Sequence, residues 1–236
     1  MNEIIAMNLN AKILSLINLG MNLLKSEMKY LVSAVLFLFI FQGCLDNPFK
    51  QKVKPSPAKG EPLTGTTFTS EKIGWKIELP KGKEWRIITT KEHDSLEKGG
   101  RKVIEETTGV ELPKSQTENL ISFRKDQFNS FISSIEPFDE SVNGNYDKML
   151  GLLHEVIKNS YAAKNIPAEY EMSATRIDGI MVDRYDIKIY AAKKVILYQY
   201  VFTCFIKDHL LSIQITTNNE ADRETLEKIV LSSDFY

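Results

Sequence analysis

The sequence predicts an α+β domain: an antiparallel β-sheet flanked by helices in an α/β/α sandwich. Three observations carry the prediction. Residues 170–177 and 180–190 alternate apolar and polar side chains on either side of Asp178-Gly179, a dipeptide suited to a two-residue hairpin turn. Tyr146, Met149, Leu150, Leu153, Ile157 and Tyr161 recur at the spacing of one helical face. Strands come in runs, with a helix between runs and another at the end, and that order favours an antiparallel sheet over a parallel α/β one.

The elements are preceded by a segment of different character. Residues 28–44 read Met-Lys-Tyr-Leu-Val-Ser-Ala-Val-Leu-Phe-Leu-Phe-Ile-Phe-Gln-Gly-Cys. Lys29 precedes an apolar run, residues 31–41, that is shorter than the ~20 residues a membrane-spanning helix needs. The layout is that of a secretory signal. Gly43-Cys44 at its end resembles the lipobox of bacterial lipoproteins, although Phe41 and Gln42 stand where the commonest form has leucine and then a small residue. The resemblance implies cleavage before Cys44 and attachment of lipid to its sulfur. Residues 1–27 form a leader that few signals carry, and Met28 is the expected natural start. Residues 44–66 hold Pro48, Pro55, Pro57 and Pro62 among scattered lysines, a composition that builds no core and reads as an extended tether. Residues 67–236 are expected to form a single domain.

Composition narrows the function. The 236 residues carry 30 Lys+Arg against 31 Asp+Glu, a net charge of −1 that gives no electrostatic reason to expect nucleic acid as a partner. With two cysteines and Cys44 assigned to lipid, Cys204 has no disulfide partner. It lies in Val-Phe-Thr-Cys-Phe-Ile, an apolar run in which an inert buried thiol is expected.

Within the domain, Ile73, Trp75, Ile77 and Leu79 alternate with Gly74, Lys76 and Glu78, which predicts a half-buried strand. Pro80-Lys81-Gly82 turns the chain, and residues 85–89 are expected to return it. Residues 90–106 are charged and read as a helix or loop that Gly99-Gly100 would interrupt. Residues 119–124 and 130–136 read as strands. Asn143 or Asn145 is placed to cap the following helix, which ends before Pro167. Residues 195–206 are apolar on both faces, as in a central strand covered on both sides. Asp208-His209 is expected to turn the chain into residues 210–216. Asn218 or Asn219 starts the last helix, with Leu226, Ile229 and Val230 facing inward.

The order of elements, the Ile-Gly-Trp-Lys-Ile-Glu-Leu-Pro start at residues 73–80, the hairpin after Ile-Asp-Gly and a last helix running into Ser232-Ser-Asp-Phe235 resemble the PsbP-like α/β/α fold. The resemblance covers roughly residues 67–236. It implies a binding or assembly protein and transfers no site residue.

Chemistry is sparse. His93, His154 and His209 lack a second histidine or cysteine at metal-ligand spacing. His154-Glu155 opens like a zincin motif, but Lys158 stands where the second ligand belongs. His93-Asp94 with Ser95 or Ser115 would make a nucleophilic site only if folding joined them. Asp139, Ser141, Asn143 and Gly144 resemble the start of a calcium loop, yet Leu150 occupies the place of the closing glutamate, so a capping turn is expected. Tyr185, Tyr190, Tyr198, Tyr200 and Phe202 are placed to line a pocket or a partner surface, or to fill the sheet–helix core, the commoner outcome for aromatics at period two. The expectation is a lipoprotein of the bacterial cell envelope, held at the periplasmic side of the outer membrane by acylated Cys44. It would bind an envelope protein without cofactor, metal or catalysis. A cell-envelope hydrolase and a small-molecule or calcium-binding module are the alternatives.

Overall fold

The computed structural model describes residues 60–108, 116–143 and 145–236. In chain order the strands are β1 (Thr67–Ser70), β2 (Trp75–Glu78), β3 (Arg86–Ile87), β4 (Glu118–Arg124), β5 (Ser130–Pro137), β6 (Ala168–Ile177), β7 (Ile180–Ala191), β8 (Lys194–Ile206), β9 (His209–Thr217) and β10 (Asp234–Phe235). The helices are α1 (Thr90–Thr108), the single turn α2 (Glu140–Asn143), α3 (Tyr146–Ala163) and α4 (Glu220–Leu231). The predicted α+β class holds: seven strands pair in the order β3-β4-β5-β9-β8-β7-β6, all antiparallel, and β1-β2-β10 form a smaller antiparallel sheet.

The pleat of the large sheet sorts its side chains into two buried layers. On one face, here the inner face, Tyr185, Ile187, Ile189, Leu197 and Val201 pack against Met149, Leu153, Ile157 and Tyr161 of α3. A smaller contact of Ile88 and Ile132 with Leu96 holds α1 on the same side. On the outer face Phe131, Tyr200, Phe202, Leu211, Ile213 and Ile215 meet Trp75 and Ile77 of the small sheet and Leu226, Ile229 and Val230 of α4. The predicted helical faces of α3 and α4 are therefore the buried ones, and β8 is covered on both sides as its composition requires.

The caps follow the side chains. Asn145 Oδ1 accepts from Lys148 N at 3.1 Å, and Asn219 Oδ1 accepts from Asp222 N at 2.9 Å, so the second asparagine of each candidate pair is the cap. Asp178 and Gly179 both have positive φ, 45° and 85°, which makes the β6–β7 turn type I′. Gly74 (φ +64) has no room for a side chain, because a Cβ there would lie 2.0 Å from the Tyr236 carbonyl oxygen. The last residue bonds back at this point, Tyr236 N to Gly74 O at 2.9 Å.

Four local expectations are corrected. Residues 85–89 do not return on β2. Arg86 and Ile87 pair with Arg124 and Phe123 of β4 and so join the large sheet. Gly99-Gly100 do not interrupt α1, which is continuous. Each glycine costs about 1 kcal/mol in a helix interior. The start of the helix is fixed by reciprocal Thr89–Glu92 capping, and Arg124 bonds Glu92 at 2.6 Å. The β8–β9 turn is Lys207-Asp208, both with positive φ, and His209 already belongs to β9. Finally, chain pairing begins ahead of Thr67: Ile87 N bonds Glu61 O at 3.0 Å and Leu63 N bonds Trp85 O at 2.9 Å. Leu63, within the segment expected to be a tether, packs on the outer core.

Candidate interaction surface

Cys44, Ser115 and Gly144 lie outside the described residues, so the lipidation site and parts of two candidate sites are not placed. His93 is buried in the first turn of α1, and burial lowers its pKa against the attraction of Asp94. Ser95 is exposed on the same helix. His154 lies half-buried on α3 with its ring stacked on Tyr185 at 4.1 Å, and burial lowers its pKa against the pull of Asp183. The Asp183 carboxylate accepts the Tyr146 hydroxyl at 2.8 Å. The His154 geometry sets an imidazole face to face with an aromatic ring, a packing role. Cys204 is buried in β8 and its thiol is pushed up to about 12 by desolvation, which keeps it protonated and inert.

The oxygen-rich loop before α3 serves as caps. Asp139 Oδ1 accepts from Ser141 N at 2.8 Å and from its hydroxyl at 2.6 Å, opening α2. Among the described residues no group of three His, Cys, Asp or Glu side chains is placed to hold a metal ion. The five aromatic candidates do not share a pocket. Tyr185 belongs to the inner core and Tyr200 and Phe202 to the outer one. Arg184 spreads over Tyr200 and Phe202 at 4.7 and 5.3 Å, forks onto Asp186 at 2.6 and 2.9 Å, and reaches Glu227 of α4 at 3.3 Å. That cluster ties α4 to β7.

Sequence reasoning missed two features. The first is a buried polar layer on the inner face of the central strands. Ser130, Thr216 and Gln199 are aligned across β5, β9 and β8, and Gln214 lies two residues along β9. Gln199 is 0 % and Gln214 4 % exposed. Tyr161 of α3 donates to Gln199 Oε1. Among the described residues, both amide atoms of Gln214, Gln199 Nε2, Thr216 Oγ1 and Ser130 Oγ have no hydrogen-bond partner. The signal was the alternation Ser212-x-Gln214-x-Thr216, which reads as a solvent face.

The second feature is a set of exposed apolar side chains on β6, β7 and β8, two of them at the β6–β7 hairpin end and one mid-way along β6. Met172 is 63 %, Met181 49 % and Phe205 44 % exposed. By register all three share the inner face; Met181 and Phe205 lie beyond the start of α3, where Phe205 rests edge-on against Phe138, and Met172 lies opposite Tyr185. Beside them β6 is a terminal strand of the sheet, ten residues long, paired without a bulge to β7 and unpaired on its other side among the described residues. Monomeric proteins usually shorten, bulge or cover such an edge. Its signal in the sequence was Met172 and Met181 on an otherwise polar hairpin.

No protein-family model and no curated protein matches the chain. Among solved structures, the chain is similar to the solution structure of cyanobacterial PsbP (CyanoP) from Synechocystis sp. PCC 6803. The two are 11 % identical with a TM-score of 0.46, over 78 % of this chain and 99 % of that one. The α+β class stands on the strand register and helix placement themselves.

Proposed function

We propose that this chain is a lipid-tethered protein of the bacterial cell envelope whose domain binds a protein or other envelope component without catalysis. The observation that carries the binding reading is the exposure of Met181 and Phe205 at the hairpin end together with Met172 on the open β6 edge. Exposed methionine and phenylalanine on one face, next to unpaired backbone groups, supply both apolar area and hydrogen bonds to a partner. The address is supported by residues 28–44 and the anchor by Cys44. Two acyl chains, at roughly 0.8 kcal/mol per buried methylene, hold a protein to a membrane.

Two measurements test the proposal. A photo-activated cross-linker at Met181 or Phe205 is expected to give an adduct in intact cells, whereas one at Glu224, exposed on α4, gives none; equal labelling at all three sites refutes the surface. Cys44→Ser is expected to move the chain from the membrane to the soluble fraction. An unprocessed N-terminus on the wild-type chain refutes the anchor.

A further inference from the structure

The β6 edge carries a more specific reading, which rests on the proposed binding role of this surface and names its partner. A two-residue type I′ turn closes on a hydrogen-bonded pair, here Ile177 with Ile180. Such pairs recur at every second residue. Thr175, Ser173, Glu171 and Glu169 therefore bond inward to β7, and Arg176, Ala174, Met172, Tyr170 and Ala168 turn their N–H and C=O groups outward. The edge thus offers five residues at regular spacing, with no proline or bulge to block pairing.

We propose that β6 pairs antiparallel with β6 of a second copy of this chain about a two-fold axis at Met172, joining two seven-stranded sheets into one. An antiparallel two-fold pairing places residues of the same face opposite each other, and this register does so without conflict. Met172 meets Met172 of the second copy as a hydrogen-bonded pair, so the most exposed large apolar side chain among the described residues is covered by its own symmetry mate. Tyr170 faces Ala174, large against small. Glu169 faces Thr175 and Glu171 faces Ser173, so no carboxylate stands opposite another. Centring the axis on Glu171 sets that residue against itself, and centring it on Tyr170 sets Glu169 against Glu171. Centring it on Ser173 separates the two methionines. Self-complementarity of one patch is what a two-fold interface requires.

Single cysteines in the full chain, oxidised in the membranes of cells that make it, test the register. The unsubstituted chain reports any background from Cys44 and Cys204. Met172→Cys is expected to give a band of twice the mass on a non-reducing gel, because directly opposed residues lie within disulfide reach. Glu171→Cys and Ser173→Cys alone are expected to give none, and the two variants made together to give one. A missing Met172→Cys band, or equal bands at all three positions, overturns the proposal. As a check independent of cysteine chemistry, the detergent-solubilised full chain is expected to sediment as a dimer. Met172→Arg is expected to sediment as a monomer with an unchanged circular-dichroism spectrum, since residue 172 is exposed within one domain. A monomeric wild-type chain also overturns it. If dimerisation fails but cross-linkers at Met181 or Phe205 still label a different protein, the self-pairing is wrong and the binding reading stands.

Discussion

From Leu211 to Thr216 the two sides of β9 are both largely buried and built from opposite chemistry. Leu211, Ile213 and Ile215 face outward into the core shared with α4 and the small sheet; Ser212, Gln214 and Thr216 face inward beneath the α1 and α3 layer. The outer side gains from apolar area removed from water. The inner side must satisfy polar atoms away from water, and among the described residues several of them have no partner. An unpaired buried polar group costs about 1–3 kcal/mol. The outer layer thus holds this sheet, and the inner layer at its centre is tolerated. The apolar inner contacts are displaced toward β7 and β8, under α3.

This contrast can be broken from either side. The largest effect is expected at the outer face: Ile215→Ala, at a fully buried position, should cost about 4 kcal/mol in denaturant unfolding. A cost below about 1 kcal/mol would show that the outer face is not the main core. Next, Tyr161→Phe removes the donor to Gln199 Oε1 and leaves another buried amide group unsatisfied. It should cost about 2 kcal/mol. Gln214→Met keeps the volume and removes two unpaired atoms, so it should be neutral or stabilise by about 1 kcal/mol. A clear loss of stability would mean that the amide is held by interactions of its own.

The smallest effect is a pH dependence confined to the inner side. His93 and His154 have folded pKa values below their ordinary 6.5 because burial disfavours the charged ring. Their contribution is fully present above about pH 6.5, where both states are neutral, and is lost as the pH falls through the folded values, because the unfolded chain takes up the protons first. Urea midpoints should fall from pH 7 to pH 5, and the double variant His93→Phe, His154→Phe should flatten that slope. An unchanged slope would assign the acid sensitivity to carboxylates instead.

Much of the fold was legible. The Asp178-Gly179 hairpin, the α3 and α4 faces, the asparagine caps and the doubly apolar β8 each depend on neighbours within a few residues, where periodicity and turn chemistry act. Expectations failed where a distant partner decides. Nothing near Trp85 says that β3 pairs with β4 rather than β2, and nothing near Gly99 says that Glu92 is held by Arg124. The candidate surface was legible only as two methionines. That they sit at an open edge depends on which strand ends the sheet.

The sequence by itself determined the α+β class, the helical faces and most strands, and the asparagine caps and the Asp178-Gly179 turn, because these follow from local propensity and patterning. Only the tertiary structure decided that the polar side of β9 is buried, that the five candidate aromatics part onto two faces and that β6 is left unpaired among the described residues. A strand's alternation sorts its side chains into two faces, but what covers each face and each edge is set by segments far away in the chain.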